Sequence, residues 1–163
     1  MGNRFVNQIL LVPVILLIVS CTGEHSPRQD LVNDSFPEAQ EELQEVIRSI
    51  VADAEGANID GLQTAHLVNH KFTKFGPRSF ERQDVVGTNE SEAAFFGSIS
   101  EYRQETRDLR IDVYGDVGIA TYYPHVSFVQ DGEEKTANGR QTLVFLKTDN
   151  RWKIVHEHGT PRR

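Results

Sequence analysis

Three two-residue turn signals in the C-terminal half constrain this chain most. Gly115-Asp116, Asp131-Gly132 and Asp149-Asn150 separate stretches that alternate with period two. Leu109, Ile111 and Val113 alternate with Arg110, Asp112 and Tyr114, and a longer alternating run extends from Val117 to Val129. Asp-Gly between alternating stretches is a strong hairpin signal, and tight turns join antiparallel neighbours. The expectation is an antiparallel meander that continues from about Thr136 to Lys147 and ends with Trp152 to His158. If each pair is a two-residue loop, Val113 lies opposite Gly118, Ile111 opposite Ala120 and Leu109 opposite Tyr122. Tyr122 then lies opposite Gln141 and Ala120 opposite Leu143. Phe145 pairs with Ile154, Leu143 with His156 and Gln141 with His158. Opposed residues share a face. One face therefore carries Leu109, Ile111, Val113, Tyr122, Leu143, Phe145, Ile154, His156 and His158, and its apolar character turns it towards a helix. The last turn is the sensitive step, because one extra residue swaps the faces.

Upstream the period changes. Leu43, Val46, Ile47, Ile50, Val51 and Ala54 recur at spacings of three and four, which makes one apolar stripe on a helix of about five turns. Pro37 suits its first turn and Gly56 its end. A short second helix is predicted from about Ile59 to Val68, and a third from Glu92 to Tyr102 with Ser91 as its cap. Phe72 to Arg78 is irregular, broken at Gly76-Pro77. Helices followed by a meander make an α+β order. The 163 residues suit one such domain.

The N-terminus has another character. Arg4 precedes Ile9 to Val19, apolar throughout and interrupted by Pro13. That run is too short to span a bilayer and fits the hydrophobic region of a signal peptide. It ends in Ile18-Val19-Ser20-Cys21, which resembles the bacterial lipobox. The resemblance implies cleavage before Cys21, acylation of that cysteine, and a lipid-anchored place in the cell envelope, on the outer-membrane or periplasmic side in a Gram-negative host. Cys21 is the only cysteine, so neither an internal disulfide nor a cysteine zinc site is available. Residues 21–37 are polar, contain Gly23, Pro27 and Pro37, and read as a tether. Removal of residues 1–20 takes away Arg4 alone, leaving 16 basic against 24 acidic residues. A chain at −8 with scattered basic residues is a poor match for nucleic acid.

Three further segments carry a family resemblance: Phe72-Thr73-Lys74-Phe75-Gly76, Asp108 to Tyr123, and Arg151-Trp152-Lys153-Ile154-Val155-His156-Glu157-His158. Over residues 38–160 the chain resembles the SnoaL-like, nuclear-transport-factor-2-like superfamily. The resemblance implies one long and two shorter helices on a strongly curved antiparallel sheet, a cone with a pocket, and dimers through the sheet. The superfamily includes isomerases, polyketide cyclases, epoxide hydrolases and non-catalytic domains, so fold alone does not fix activity.

The residues themselves offer several candidates. His156 and His158 share a strand face and titrate near neutral pH. They suit acid or base work, contact with a ligand, or hydrogen-bonded wall positions without chemistry. A metal reading needs a third ligand from His125, His66 or His70, and His125 falls on the opposite face. His66 and His70 lie four apart, but the predicted helix ends near Val68, before His70, and no glutamate follows His66. No metal or cofactor is expected. Tyr122 and Gln141 beside His158 would orient the polar end of an apolar ligand. Phe72, Phe75, Phe95 and Phe96 suit a pocket wall or simply core. Arg140 is expected outward, paired with Glu157 at the surface. Ketosteroid isomerases carry their general base in the segment after the second helix. Here Phe72 to Pro77 holds no acid, Phe75 stands about where the base would be, and the expected inner face has no carboxylate, so that mechanism is not expected.

Three functions remain: an envelope module binding a small amphipathic or hydrophobic molecule without catalysis; a small acid/base enzyme of isomerase, cyclase or hydrolase type using His156 or His158; and a dimeric interaction module. Val117, Ile119 and Tyr123 on the outer face are too apolar for open solvent over such a span, which points to a homodimer.

Overall fold

The computed structural model describes residues 29–77 and 79–162. The expected signal segment and Cys21 lie outside them. Helix α1 spans Pro37–Glu55, α2 Ile59–Ala65 and α3 Val85–Gly97; strand β1 spans Thr73–Phe75, β2 Ser100–Tyr114, β3 Val117–Gln130, β4 Glu133–Thr148 and β5 Arg151–Pro161. The sheet order is β1-β5-β4-β3-β2, with β1 parallel to β5 and all other pairs antiparallel. The curved sheet with three helices packed on it is the expected α+β cone.

All three expected turns are present. Asp131 and Gly132 have φ of 55° and 77°, and Asp149 and Asn150 have 50° and 57°. Two successive positive values are what a type I′ hairpin needs, and Asp, Asn and Gly adopt them at least cost. Helix α1 buries Leu43, Ile47 and Ala54. Leu43 and Ile47 join Val113, Ala120, Leu143, Phe145, Trp152 and Ile154 in the core. The approach is close at Gly118, where a Cβ would stand 2.3 Å from Leu43 Cδ1. Glu42 adds a polar tie, accepting from Trp152 Nε1 at 2.8 Å and pairing with Lys147 Nζ at 2.6 Å.

Several sequence expectations need correction. Helix α2 ends at Ala65 rather than near Val68. Helix α3 begins at Val85, capped by Asp84 rather than Ser91; the Asp84 carboxylate accepts from Gly87 N at 2.9 Å. The opening Val85-Val86-Gly87-Thr88 is poor in helix formers, so its first turn leaves no periodic signature. Tyr102 lies on β2, not on a helix. The first half of β2 alternates between charged and polar residues, with Glu101, Arg103, Glu105 and Arg107 exposed, and an apolar pattern misses it. Leu109 does not face Tyr122 one-to-one. Arg107 pairs with Tyr123 and Arg110 with Thr121, so Asp108 and Leu109 together bulge opposite Tyr122.

The decisive departure is in β5. Phe145 pairs with Ile154 as expected, but Val144 pairs with His156, leaving Val155 as an extra residue. Beyond it the register shifts by one: Leu143 faces Glu157, Thr142 faces His158 and Gln141 faces Gly159. Glu157 therefore turns into the cone, and His156 and His158 turn out.

Candidate functional site

The short elements after α1 bring four ionisable side chains to the floor of the cone. His66 is the C-cap of α2, in an extended conformation that lets Leu67 N donate to Ile154 O at 2.8 Å. Lys74 is the central residue of β1 and stands in register with Glu157 on β5. Reciprocal backbone bonds with Gln83, both 2.9 Å, fix it from the other side. Asn89 and Glu92 come from one face of α3, three residues apart. His66 Nε2 donates to Glu157 Oε1 at 2.8 Å, and His66 Nδ1 meets Asn89 Oδ1 at 2.9 Å. Lys74 Nζ bridges the carboxylates, 2.9 Å from Glu157 Oε2 and 2.5 Å from Glu92 Oε1. Glu92 Oε1 lies 3.9 Å from His66 Nε2. His66 and Glu157 are buried, at 3% and 6% exposure.

Charge follows from this geometry. Burial acts to raise the Glu157 pKa, but the Lys74 ammonium and the His66 hydrogen bond outweigh it and bring the carboxyl down to about 2. Burial acts to lower the His66 pKa; Glu157, through both hydrogen bond and charge, together with Glu92 and Asn89, more than offsets it, and the net shift is upward. Acceptor oxygens at both ring nitrogens favour the imidazolium form of His66. Burial likewise opposes the Lys74 charge, and the two carboxylates restore it with a net rise. The site thus brings together two basic and two acidic side chains.

Above this floor opens a cavity of about 630 Å³. Ile50, Leu62, Phe95, Phe128, Leu143 and Ile154 give it apolar walls, and Tyr102, Gln104, Tyr122 and Gln141 add polar groups. Tyr102 donates to Gln104 Oε1 at 2.7 Å, and Tyr122 is hydrogen-bonded with Gln104. Burial is the first cause that pushes both phenol pKa values upward, so both remain neutral hydroxyls. Exposed Pro77, Asn138, Arg140 and Thr160 form part of the rim.

Of the residues expected at a ligand site, Tyr122 and Gln141 face one another across β3 and β4 and line this cavity. His156 and His158 do not join them, because the bulge at Val155 turns them outward. His156 Nδ1 is 2.8 Å from Thr73 Oγ1, and the exposed His158 ring lies 5.9 Å from Phe75. Phe75 is also outward, 40% exposed. Phe72 is core, its ring 5.0 Å from that of His66. Phe95 and Phe96 line the cavity, with ring centroids 5.2 Å apart. Arg140 does not pair with Glu157, which is buried. His125 is held by Asn138 at 2.9 Å, and the exposed His70 lies beyond the end of α2. The expectation of an inner face without carboxylates is overturned by Glu157. Phe72 to Pro77 has no acid, yet it contributes Lys74. Both Lys74 and Glu157 lie within the segments that carry the family resemblance. Asn89 and Glu92 become legible as a pair only once α3 is known to start at Val85.

The donor atoms of His66, Glu92 and Glu157 lie within 4.8 Å of one another, a spacing a metal ion can use. The Lys74 ammonium already stands between the two carboxylates, and His66 spends Nε2 on Glu157. The chemistry of this donor set is that of an internal ion-pair network carrying protons.

An antiparallel cone with a polar floor and apolar walls defines a small-molecule pocket domain. The chain belongs to the SnoaL-like domain family, whose model matches residues 43–161. A nuclear-transport-factor-2-like protein of Salmonella enterica is similar at 20% identity over 77% of this chain and 92% of that one, with a TM-score of 0.71. A provisionally assigned dehydratase of the same superfamily from Streptomyces avermitilis has 15% identity over 77% and 97%, TM-score 0.71. A provisionally assigned aromatic ring hydroxylase from Novosphingobium aromaticivorans has 18% identity over 77% and 90%, TM-score 0.68. These likenesses show the fold. No curated protein sequence matches the chain significantly.

Proposed function

We propose that this protein is a lipid-anchored envelope module that binds a small, largely apolar molecule in its cone. The observation that carries the reading is the cavity of about 630 Å³ whose apolar walls converge on Tyr122, Gln104 and Gln141. A few placed polar groups in an apolar recess are the usual design of a ligand site. The anchor is supported by the lipobox-like Ile18-Val19-Ser20-Cys21. Native mass spectrometry of protein purified from its own host should find a co-purified molecule in the wild type and lose it in Tyr122→Ala. A wild-type chain that is always empty argues against the binding role. Cys21→Ala should move the protein from the membrane to the soluble fraction, and identical fractionation of the two forms refutes the anchor.

A second reading is favoured by the floor. A buried imidazolium and two carboxylates beside an apolar cavity can exchange protons with a bound substrate. In this reading the acid is His66, not His156 or His158. Turnover of a co-purified molecule by the wild type but not by His66→Gln would support it.

A further inference from the structure

The charges at the floor cancel among themselves. Lys74 pairs with Glu92 and Glu157, and His66 pairs with Glu157. Apart from Arg140, the other polar side chains that line the cavity, Tyr102, Gln104, Tyr122 and Gln141 among them, are uncharged. Glu92 Oε2 has no partner, but it is shut off from solvent, so an ammonium ion in the cavity does not reach it. Arg140 is exposed at the rim, where water screens it.

We infer that the cone selects an uncharged ligand, an apolar ring or chain whose polar end is a hydroxyl or carbonyl, and turns away carboxylates and ammonium ions. This rests on the binding role proposed above and narrows its ligand class. An ion brought into the cavity loses its hydration and meets no countercharge inside that is both unpaired and within reach, the costly case for burial. A carboxylate would add a third negative group beside Glu92 and Glu157. An ammonium would add a third positive group beside Lys74 and His66. A hydroxyl or carbonyl needs only the exchange of neutral hydrogen bonds, which Tyr122 and Gln141 both give and receive.

The test uses the full-length chain and rigid probes that share one ring system: naphthalene, 2-naphthol, 2-naphthoate and 2-naphthyltrimethylammonium, with affinities from calorimetry at neutral pH. 2-Naphthol should bind at least about tenfold tighter than either ion, a preference of about 1.4 kcal/mol. Glu92→Gln keeps an oxygen for Lys74 but removes one negative charge, so 2-naphthoate should gain about tenfold on 2-naphthol. Lys74→Gln shifts the balance the other way and should favour the trimethylammonium probe. Either ion binding the wild type as tightly as 2-naphthol overturns the inference, as does an unchanged 2-naphthol to 2-naphthoate ratio in folded Glu92→Gln. The wild-type comparison stands even where neither variant folds. Naphthalene separates the two claims: its binding without head-group preference leaves the cavity role intact and removes the selectivity, and failure of every probe removes both.

Discussion

Glu157 is the residue on which the floor depends. It accepts from His66 and from Lys74, so Glu157→Leu leaves two buried cations sharing Glu92 alone. Removing one partner of a buried ion pair typically costs about 3–5 kcal/mol, and urea denaturation should show a loss of that order. A midpoint within error of the wild type would mean the network contributes no stability. Acid should act on the same group. The Glu157 pKa is depressed in the fold from its usual 4.5 to about 2, so its contribution is fully present above 4.5 and is lost as pH falls towards 2. His66 has the opposite sign. Its pKa is raised from 6.5 in the fold, so its contribution is present below 6.5 and is lost as pH rises through the higher folded value. The melting temperature should therefore fall on both sides. In His66→Gln the loss that begins as pH rises above 6.5 should weaken, whereas the acid limb from Glu157 should persist.

At the scale of elements, α3 is the piece least supported by its own sequence. Its first turn holds two valines and a glycine, and Asp84 is its cap. Asp84→Ala should destabilise the protein by about 1 kcal/mol, and hydrogen exchange should report the loss first at the start of α3. Uniform loss of protection across the molecule would contradict a local capping role. Because Glu92 rides on α3, ligand affinity should fall with it. What was legible in the sequence divides along the same physical line. The three hairpin turns were visible because Asp131-Gly132 and Asp149-Asn150 carry their positive φ preference locally. Helix α1 was visible because its apolar stripe repeats over its length. The bulge at Val155 was not, because no residue type demands it; it shows only in the pairing of β5 with β4. One inserted residue exchanges two imidazoles for a carboxylate at the cavity, so Tyr122 and Gln141 keep the face that the turns give them and His156 and His158 do not.

At the scale of the whole molecule, the outer face of the sheet is the surface still to be accounted for. Val117, Tyr114 and Tyr123 are exposed there, and His158 and Phe75 extend the face towards the β1 edge. We propose that two copies meet across it. Acyl-free Cys21→Ala protein should sediment as a dimer at micromolar concentration, and Tyr123→Glu should dissociate it; a monomeric parent chain would refute this. The fold also gives the molecule a direction. The chain enters beside the β2–β3 turn, where Leu31 packs at Gly115, and the same end holds the β4–β5 turn through Lys147 N donating to Asp116 O. The cavity is bounded instead by the later half of α1 and by residues 137–141 and 159–161 at the far end. In the proposed anchored form, the residues that follow the tether join the domain at the end opposite this opening. We propose that a cone so placed exchanges its ligand with the aqueous compartment, as a vessel standing on its base, rather than lifting it directly out of a membrane.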